Sequence, residues 1–235
     1  MKSRVLEIEA DSEGTFIERL NRFVARVEIN GNEELVHVHD PGRLKELLFP
    51  GNRVLLKKAT NPGRKTGWDV IASWSPAGWV FTNSGYHRKI SEAVFRMPEI
   101  SPIQNIVKVE PEVKLGTSRI DFRVHTSDSG PVWVEIKGCT LARNGVALFP
   151  DAPTTRGQRH LEELIEVAKT GERAAVIFLV FRPDATCFLP NGETDPAFEK
   201  LFYDAVRAGV EIHPLLFSYD GKNIYFWEEI PICGR

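Results

Sequence analysis

Residues 174–181 read Ala-Ala-Val-Ile-Phe-Leu-Val-Phe, an unbroken apolar run. Successive strand side chains face opposite ways, so a strand of this composition has to be covered on both faces. Helix signals stand on either side of it. Before the run, Thr155 with Gln158 three residues on forms a capping box, Leu161, Leu164, Ile165 and Ala168 form an apolar stripe, and Gly171 stops the helix. After the run, Asp195 caps and Pro196 opens a helix carrying Phe198, Leu201, Phe202, Ala205 and Val206, which ends at Gly209 and leads into a strand over 210–217. Upstream, a helix over about 86–97 has Ile90, Ala93, Val94 and Met97 on one face, and strands follow near 107–115, 118–125 and 132–139. From residue 84 to 235 the chain therefore reads as a mixed α/β domain.

Residues 1–83 read differently. Phe23, Ala25, Val27 and Ile29 alternate with partly charged positions, Asn30-Gly31 is a hairpin signal, and a strand over 34–39 follows. Short strands at 54–56, 68–74 and 79–81 are separated by turn formers, and residues 41–48 predict a brief helix ended by Pro50-Gly51. Several short strands with one short helix suit a five-stranded barrel of the OB type, although the edge of a β-sandwich would look similar. At 235 residues and 42% hydrophobic, the chain can bury one large core or two small ones.

No apolar run approaches the roughly 18 residues that would span a bilayer, and Met1-Lys2-Ser3-Arg4 leads into a strand-like run rather than a signal segment. A cytoplasmic protein without membrane contact is expected. Cys139, Cys187 and Cys233 are odd in number and irregularly spaced, which suits free thiols in a reducing compartment better than disulfides or a zinc site. With a net charge of -2, any nucleic-acid surface has to be a local patch.

The chemistry concentrates in Ser118-Arg119-Ile120-Asp121-Phe122 and Trp133-Val134-Glu135-Ile136-Lys137. Glu135 and Lys137, two apart on a strand, project to one face. If the loop between Thr126 and Pro131 holds an odd number of residues, Asp121 pairs opposite Glu135 and shares that face; an even loop sends it to the other. Two converging carboxylates need a cation between them, and a hard divalent ion with oxygen ligands fits. The apolar neighbours of Glu135 suggest a buried strand, where a metal or Lys137 must compensate its charge. A plain Glu135–Lys137 salt bridge is the simpler alternative.

This Asp and Glu-x-Lys pattern resembles the active site of the PD-(D/E)XK nuclease superfamily. Together with His39-Asp40-Pro41-Gly42-Arg43-Leu44, Gly138-Cys139-Thr140-Leu141, and the run from Phe149 through Pro150-Asp151-Ala152-Pro153-Thr154-Thr155-Arg156-Gly157-Gln158-Arg159-His160 to Leu161, it is similar to the signatures of the sugar fermentation stimulation protein A family. That resemblance spans most of the chain. It implies an N-terminal OB-like β-barrel, a C-terminal nuclease-like α/β domain with a mixed sheet, and DNA binding; cleavage follows only by superfamily analogy. On that analogy Asp121, Glu135 and the Ile136 carbonyl hold Mg²⁺ or Mn²⁺, and Lys137 orients and activates the attacking water. Glu92 on the first helix and Glu112 on the strand before Asp121 are two further acids for the site. The family ordinarily carries Pro-Asn ahead of that helix, where this chain has Tyr86-His87.

Arg156, Arg159 and His160 crowd the first turns of a helix, where the dipole disfavours cations, so an anion such as a phosphate is expected there, with Gly157 letting it come close. Pairing with Asp151, Glu162 or Glu163 is the alternative. Arg119 is grouped with these residues as a nucleic-acid contact or, alternatively, pairs with Asp121. In the barrel, Arg53, Lys57, Lys58, Arg64 and Lys65 fall in an acid-free stretch near Trp68 and Trp74, a pattern suited to phosphates and stacked bases. His37 and His39 read as surface or core histidines rather than metal ligands. The expected function is a DNA-binding protein with a divalent-metal site that hydrolyses phosphodiester bonds. A non-cleaving DNA-binding regulator of sugar metabolism genes is the alternative, and a metal enzyme acting on phosphorylated sugars a third. RNA as the nucleic acid and the oligomeric state stay open.

Overall fold

The computed structural model describes residues 2–61 and 63–234. After β1 (Ser3–Glu7) come β2 (Ser12–Arg19), β3 (Val24–Ile29), β4 (Asn32–Val38), β5 (Arg53–Lys58) and β6 (Trp68–Ser75). The last five pair in the order β4-β3-β2-β5-β6 and close on themselves by a parallel pairing of β4 with β6, Val36 opposite Trp68. Phe16, Ala25, Val27, Val36, Val38, Val54, Leu56 and Val70 point into this barrel and are buried. Asn30 and Gly31, both at positive φ, make the tight turn between β3 and β4. The sequence pattern hides β2 because Phe16 is the one fully buried side chain in it.

Residues 41–48 form a loop with one turn rather than the expected helix. Leu44 takes φ +48, its N–H donates to Asp151 Oδ2 across the molecule, and only Leu47 and Leu48 return N–H bonds, to the Leu44 carbonyl. The Arg19 guanidinium donates to the carbonyls of Arg22, Asp40, Gly42 and Arg43. Those tertiary bonds outweigh local helix propensity.

The sheet continues beyond the barrel. From β6 it runs through β7 (Gly78–Phe81) to the second half of the chain, which contributes α1 (His87–Phe95), β8 (Ile106–Leu115), β9 (Ser118–Thr126), β10 (Gly130–Cys139), β11 (Leu141–Arg143), β12 (Val146–Phe149), α2 (Thr155–Lys169), β13 (Arg173–Val180), β14 (Cys187–Pro190), α3 (Pro196–Ala208), β15 (Glu211–Tyr219) and β16 (Asn223–Glu229). Its order is β7-β15-β13-β10-β9-β8, with β8, β9 and β10 antiparallel and β10, β13 and β15 parallel. The first strand, β1, pairs with the last, β16. A small separate sheet joins β11, β12 and β14.

β13 is the covered strand that residues 174–181 predict. Ala175, Ile177 and Leu179 face a core with Ile90, Val94 and Phe95 of α1. Ala174, Val176, Phe178 and Val180 face a second core with Leu161 and Leu164 of α2 and Phe198 and Phe202 of α3. Both helix stops and the Asp195 cap lie where the sequence puts them, with Gly209 at φ +93 and Asp195 Oδ1 accepting from Phe198 N. The start of α2 is shifted by one residue. Thr154 is its cap, accepting from Gly157 N at 3.0 Å, while Gln158 donates to Asp195 instead of closing a box with Thr155.

The cysteines correct the sequence expectation. Cys187 and Cys233 form a disulfide, and only Cys139 is free and buried. Residues 231–233 run beside the start of β14, where Phe188 N donates to Pro231 O and Cys233 N to Phe188 O, and this tertiary pairing is invisible in the spacing. The cysteines therefore no longer argue for a reducing compartment. No helix among the described residues is long and apolar enough to cross a membrane.

On β15, His213 lies between Glu229, 2.8 Å from Nδ1, and Glu211, 3.5 Å from Nε2. Burial alone would depress this imidazole, but the two carboxylates lift it to about 9. A raised histidine pKa contributes stability that is fully present below the ordinary value near 6.5 and is lost as pH rises through about 9, on the order of 3 kcal/mol here. Denaturant melts should show the wild type losing stability between pH 7 and 10 more steeply than His213→Gln. Parallel profiles would sink the assignment.

Candidate functional site

Ser127, Asp128 and Ser129 separate Thr126 from Gly130, an odd loop that sets the hairpin register. Phe122 pairs with Val134, so one step further Asp121 stands opposite Glu135. There the ladder opens, and Asp121 Oδ2 accepts the Ile136 N–H at 2.8 Å. On the other side of β9, Pro111 pairs with Phe122 and Val113 with Ile120, which sets Glu112 opposite Asp121. Three acids thus occupy one rung across β8, β9 and β10.

Glu135 is 2% exposed. Its Oε1 accepts from Lys137 Nζ at 2.6 Å and contacts His160 Nδ1, whereas its Oε2 is buried with no hydrogen-bond partner. Burial would raise this carboxyl, yet the charges of Lys137 and His160 hold it below its ordinary value. Asp121 behaves oppositely: burial, then the neighbouring Glu135 charge, push it up to about 6. Asp121, Glu135 and Lys137 line a 410 Å³ cleft with Asp40, His87, Arg88, Glu112, Gly138, Thr154 and Arg156. A second cleft of 440 Å³ adjoins it, shares Asp40, Gly138 and Arg156, and runs on to Arg22 and Asp151.

The remaining predicted residues divide. Glu112 reaches the cleft, with its carboxylate held by Arg88 and Arg119 at 3.3 Å each. Glu92 does not: it pairs with Arg88 and Arg96 and faces a different cleft beside Phe95 and Val107. The helix-terminus cations separate as well. His160 turns inward to Glu135, Arg159 donates to Ser118 Oγ, and Arg156 faces the cleft. Gly157 also lines the cleft, but its N–H is taken by Thr154 Oγ1, and an added Cβ would lie 2.8 Å from Thr154 Cγ2 and 3.4 Å from Phe198.

In the barrel, the basic stretch is largely neutralised. Arg53 pairs with Glu13 and lies over Trp74 and Trp79, Arg64 forks onto Asp69, and Lys57 donates to the Glu9 carbonyl. Lys58 sits over Trp68, and Lys65 is exposed. Partners distant in sequence, such as Glu13, are what a run of cations cannot reveal. His39 pairs with Asp69 at 3.2 Å.

Sequence reasoning missed Asp40 and His87. Burial pushes Asp40 up to about 6, and it forms the cleft wall on the barrel side. His87 occupies one of the two positions ordinarily held by Pro-Asn, and its ring packs so closely on Gly138 that a Cβ there would meet Cε1 at 2.2 Å. Burial keeps it neutral, with a pKa near 4. The unusual Tyr86-His87 pair was the available signal. Among the described residues, no three His, Cys, Asp or Glu side chains are gathered in a group that could hold a metal ion.

A closed OB-type barrel continuous with a mixed α/β sheet, and a carboxylate–lysine cleft beside their junction, define the class of protein. The family model described as "Sugar fermentation stimulation protein RE domain" matches residues 85–223, and the one described as "SfsA N-terminal OB domain" matches 17–82. A sugar fermentation stimulation protein homolog of Methanococcoides burtonii is 47% identical over 97% of this chain and 95% of its own; one of Sulfurisphaera tokodaii is 44% identical over 92% and 88%. The solved structure of Pyrococcus furiosus SfsA in complex with Ca²⁺ aligns at TM-score 0.89 and 29% identity, covering 98% of this chain and 99% of that one. The chain belongs to the sugar fermentation stimulation protein family.

Taking one hydrogen-bond partner from a buried carboxylate leaves it under-satisfied, which typically costs about 1–3 kcal/mol. His160→Ala should lower stability by that order, read by urea denaturation at pH 7, and more than Arg159→Ala does. Equal effects would mean that His160 is not what balances Glu135.

Proposed function

We propose that the protein binds DNA and hydrolyses phosphodiester bonds in the 410 Å³ cleft with the help of Mg²⁺ or Mn²⁺. The observation that carries this reading is Glu135 Oε2, a buried carboxylate oxygen without a hydrogen-bond partner, on the same rung as Asp121. Such an atom is costly unless something fills its place. Asp121, Glu135 and the Ile136 carbonyl are hard oxygen donors that would hold the ion, with water completing the shell, as magnesium prefers. The Ca²⁺ complexed by the Pyrococcus furiosus relative is an ion of the same ligand preference. When bound, the ion supplies charge neutralisation at the phosphoryl oxygens.

The chain's own groups do the rest. Lys137, 2.6 Å from Glu135, orients the attacking water, and Arg156 at the mouth of the cleft draws in the phosphate. His160 holds Glu135 in place from behind. One observation favours the alternative of a non-cleaving DNA-binding regulator: Lys137 and His160 already compensate Glu135 Oε1 without any ion.

Calorimetry separates the two. Mn²⁺ should bind the wild type and bind Asp121→Asn at least tenfold more weakly, about 1.4 kcal/mol. Lys137→Ala should keep Mn²⁺ binding and lose cleavage of labelled DNA. Unchanged Mn²⁺ affinity in Asp121→Asn removes the metal site; DNA binding without cleavage in Mn²⁺, unaffected by Glu135→Gln, selects the regulator.

A further inference from the structure

Asp40 stands apart from the other acids of the cleft. Glu112, Asp121 and Glu135 lie on one rung across β8, β9 and β10, whereas Asp40 comes from the barrel, just after β4. It also lines the adjoining 440 Å³ cleft, so it sits where the two spaces join, together with Phe149 and Arg156. Its backbone is held: the Asp40 carbonyl accepts from Arg19 Nη2 at 2.8 Å, and the loop beyond is seated by Leu44 N on Asp151 Oδ2. Its side chain is half committed. Oδ1 accepts the Gly42 N–H at 2.7 Å, while Oδ2 takes no hydrogen bond from the described residues and is not sealed inside the protein. The free oxygen of a positioned carboxyl in a cleft is a group that can hand over a proton.

We propose that Asp40 is the general acid of the hydrolysis, giving its proton to the nucleoside oxygen that leaves phosphorus. In an in-line displacement the attacking and leaving oxygens lie on opposite sides of the phosphoryl group. Lys137 orients the water from β10, and Asp40 reaches in from a different element, which is what a two-sided reaction requires. The water oxygen bonds to phosphorus as the bond from phosphorus to the bridging oxygen breaks. The Asp40 proton moves to that oxygen and frees a hydroxyl; the water gives a proton to solvent, and Asp40 takes one back. The other groups of the cleft do not serve. Arg88 and Arg156 stay charged, Ser84 Oγ donates to the His39 carbonyl at 2.9 Å, His87 is kept neutral by burial, and Asp121 is taken up with Ile136 N. The Asp40 carboxyl is lifted to about 6 by burial and by the Asp151 and Glu46 charges, against the pull of the Gly42 N–H and Arg19. A carboxyl that titrates near neutrality both holds a proton and releases it.

This role rests on the phosphodiesterase reading of the cleft, and the experiment separates the two. Asp40→Asn keeps an Oδ1 acceptor for Gly42 N–H but has no acidic proton to give. In Mn²⁺ it should cleave a labelled DNA about 100-fold or more slowly than the wild type does. On the same DNA with sulfur in place of the leaving bridging oxygen, whose thiolate departs without a proton, it should come within about threefold of the wild type. Its calorimetric Mn²⁺ affinity should stay within about twofold. Wild-type cleavage of DNA by Asp40→Asn overturns the proposal, and so does an equal loss on both substrates, which would make Asp40 a positioning residue for its loop. Mn²⁺ bound at least about tenfold more weakly would make it a metal ligand and overturn the proposal as well. In each of these cases the wild type still cleaves and the reading of the cleft stands. A wild type that cleaves neither DNA ends both.

Discussion

The buried carboxylate of Glu135 is the constraint around which the second half of the molecule is arranged. An ion this deep is tolerable only if its partners are delivered at fixed positions. Lys137 comes from the same strand, two residues on, but His160 has to arrive from α2. The start of α2 is in turn pinned by Asp195, which accepts from Phe198 N, Thr154 N and Gln158 Nε2 at once. One buried aspartate thereby aligns two helix termini, and the alignment sets a histidine against a glutamate on the central strand. Phe178 packs against Phe149, Phe188 and Phe202 of α3, and the same core takes Leu161 and Leu164 of α2, which ties both helices to the sheet.

The crowding of cations at the α2 terminus takes on a different meaning once the side chains are placed. Arg156, Arg159 and His160 together suggest an external anion offsetting an unfavourable dipole. Part of that anion is internal: Glu135 meets His160, and Arg159 turns to Ser118. Arg156 alone remains directed at the cleft, with its Nε 3.4 Å from His160 Nε2. The demand for a phosphate at this terminus is reduced to one guanidinium, and the buried atom left without a hydrogen-bond partner is Glu135 Oε2.

What the sequence made legible follows from which forces are local. The parity of the 126–131 loop, the apolar run of β13 and the Asp195-Pro196 and Gly209 signals are short-range, and each has its counterpart in the structure. What failed was decided at long range. Arg53 finds Glu13 across the barrel, the Pro41–Leu48 stretch gives up its helix to Arg19 and Asp151, and Cys187 meets Cys233 through a tail that returns to β14. Glu92 was misplaced for a smaller reason: Arg88 and Arg96, one turn away on either side, turn it from the sheet. The stacked Phe23–His37 pair was hidden because Phe23 lies in the turn before β3 and meets His37 only through the β3–β4 hairpin register.

The same long-range bonds tie the barrel to the cleft. Asp151, in the stretch that leads into α2, holds Leu44 N from the barrel loop, and its carboxylate fills the space where Gly42 lacks a Cβ. A side chain at Gly42 would meet Asp151 Oδ2 at 2.5 Å, so glycine is what allows the loop to seat. With Arg19 gripping three carbonyls of the same loop, Asp151 holding Leu44 N and β1 paired to β16, the barrel is stitched to the α/β region. Asp40 reaches the cleft only because this loop is held. The barrel is therefore a wall of the cleft rather than a module on a tether.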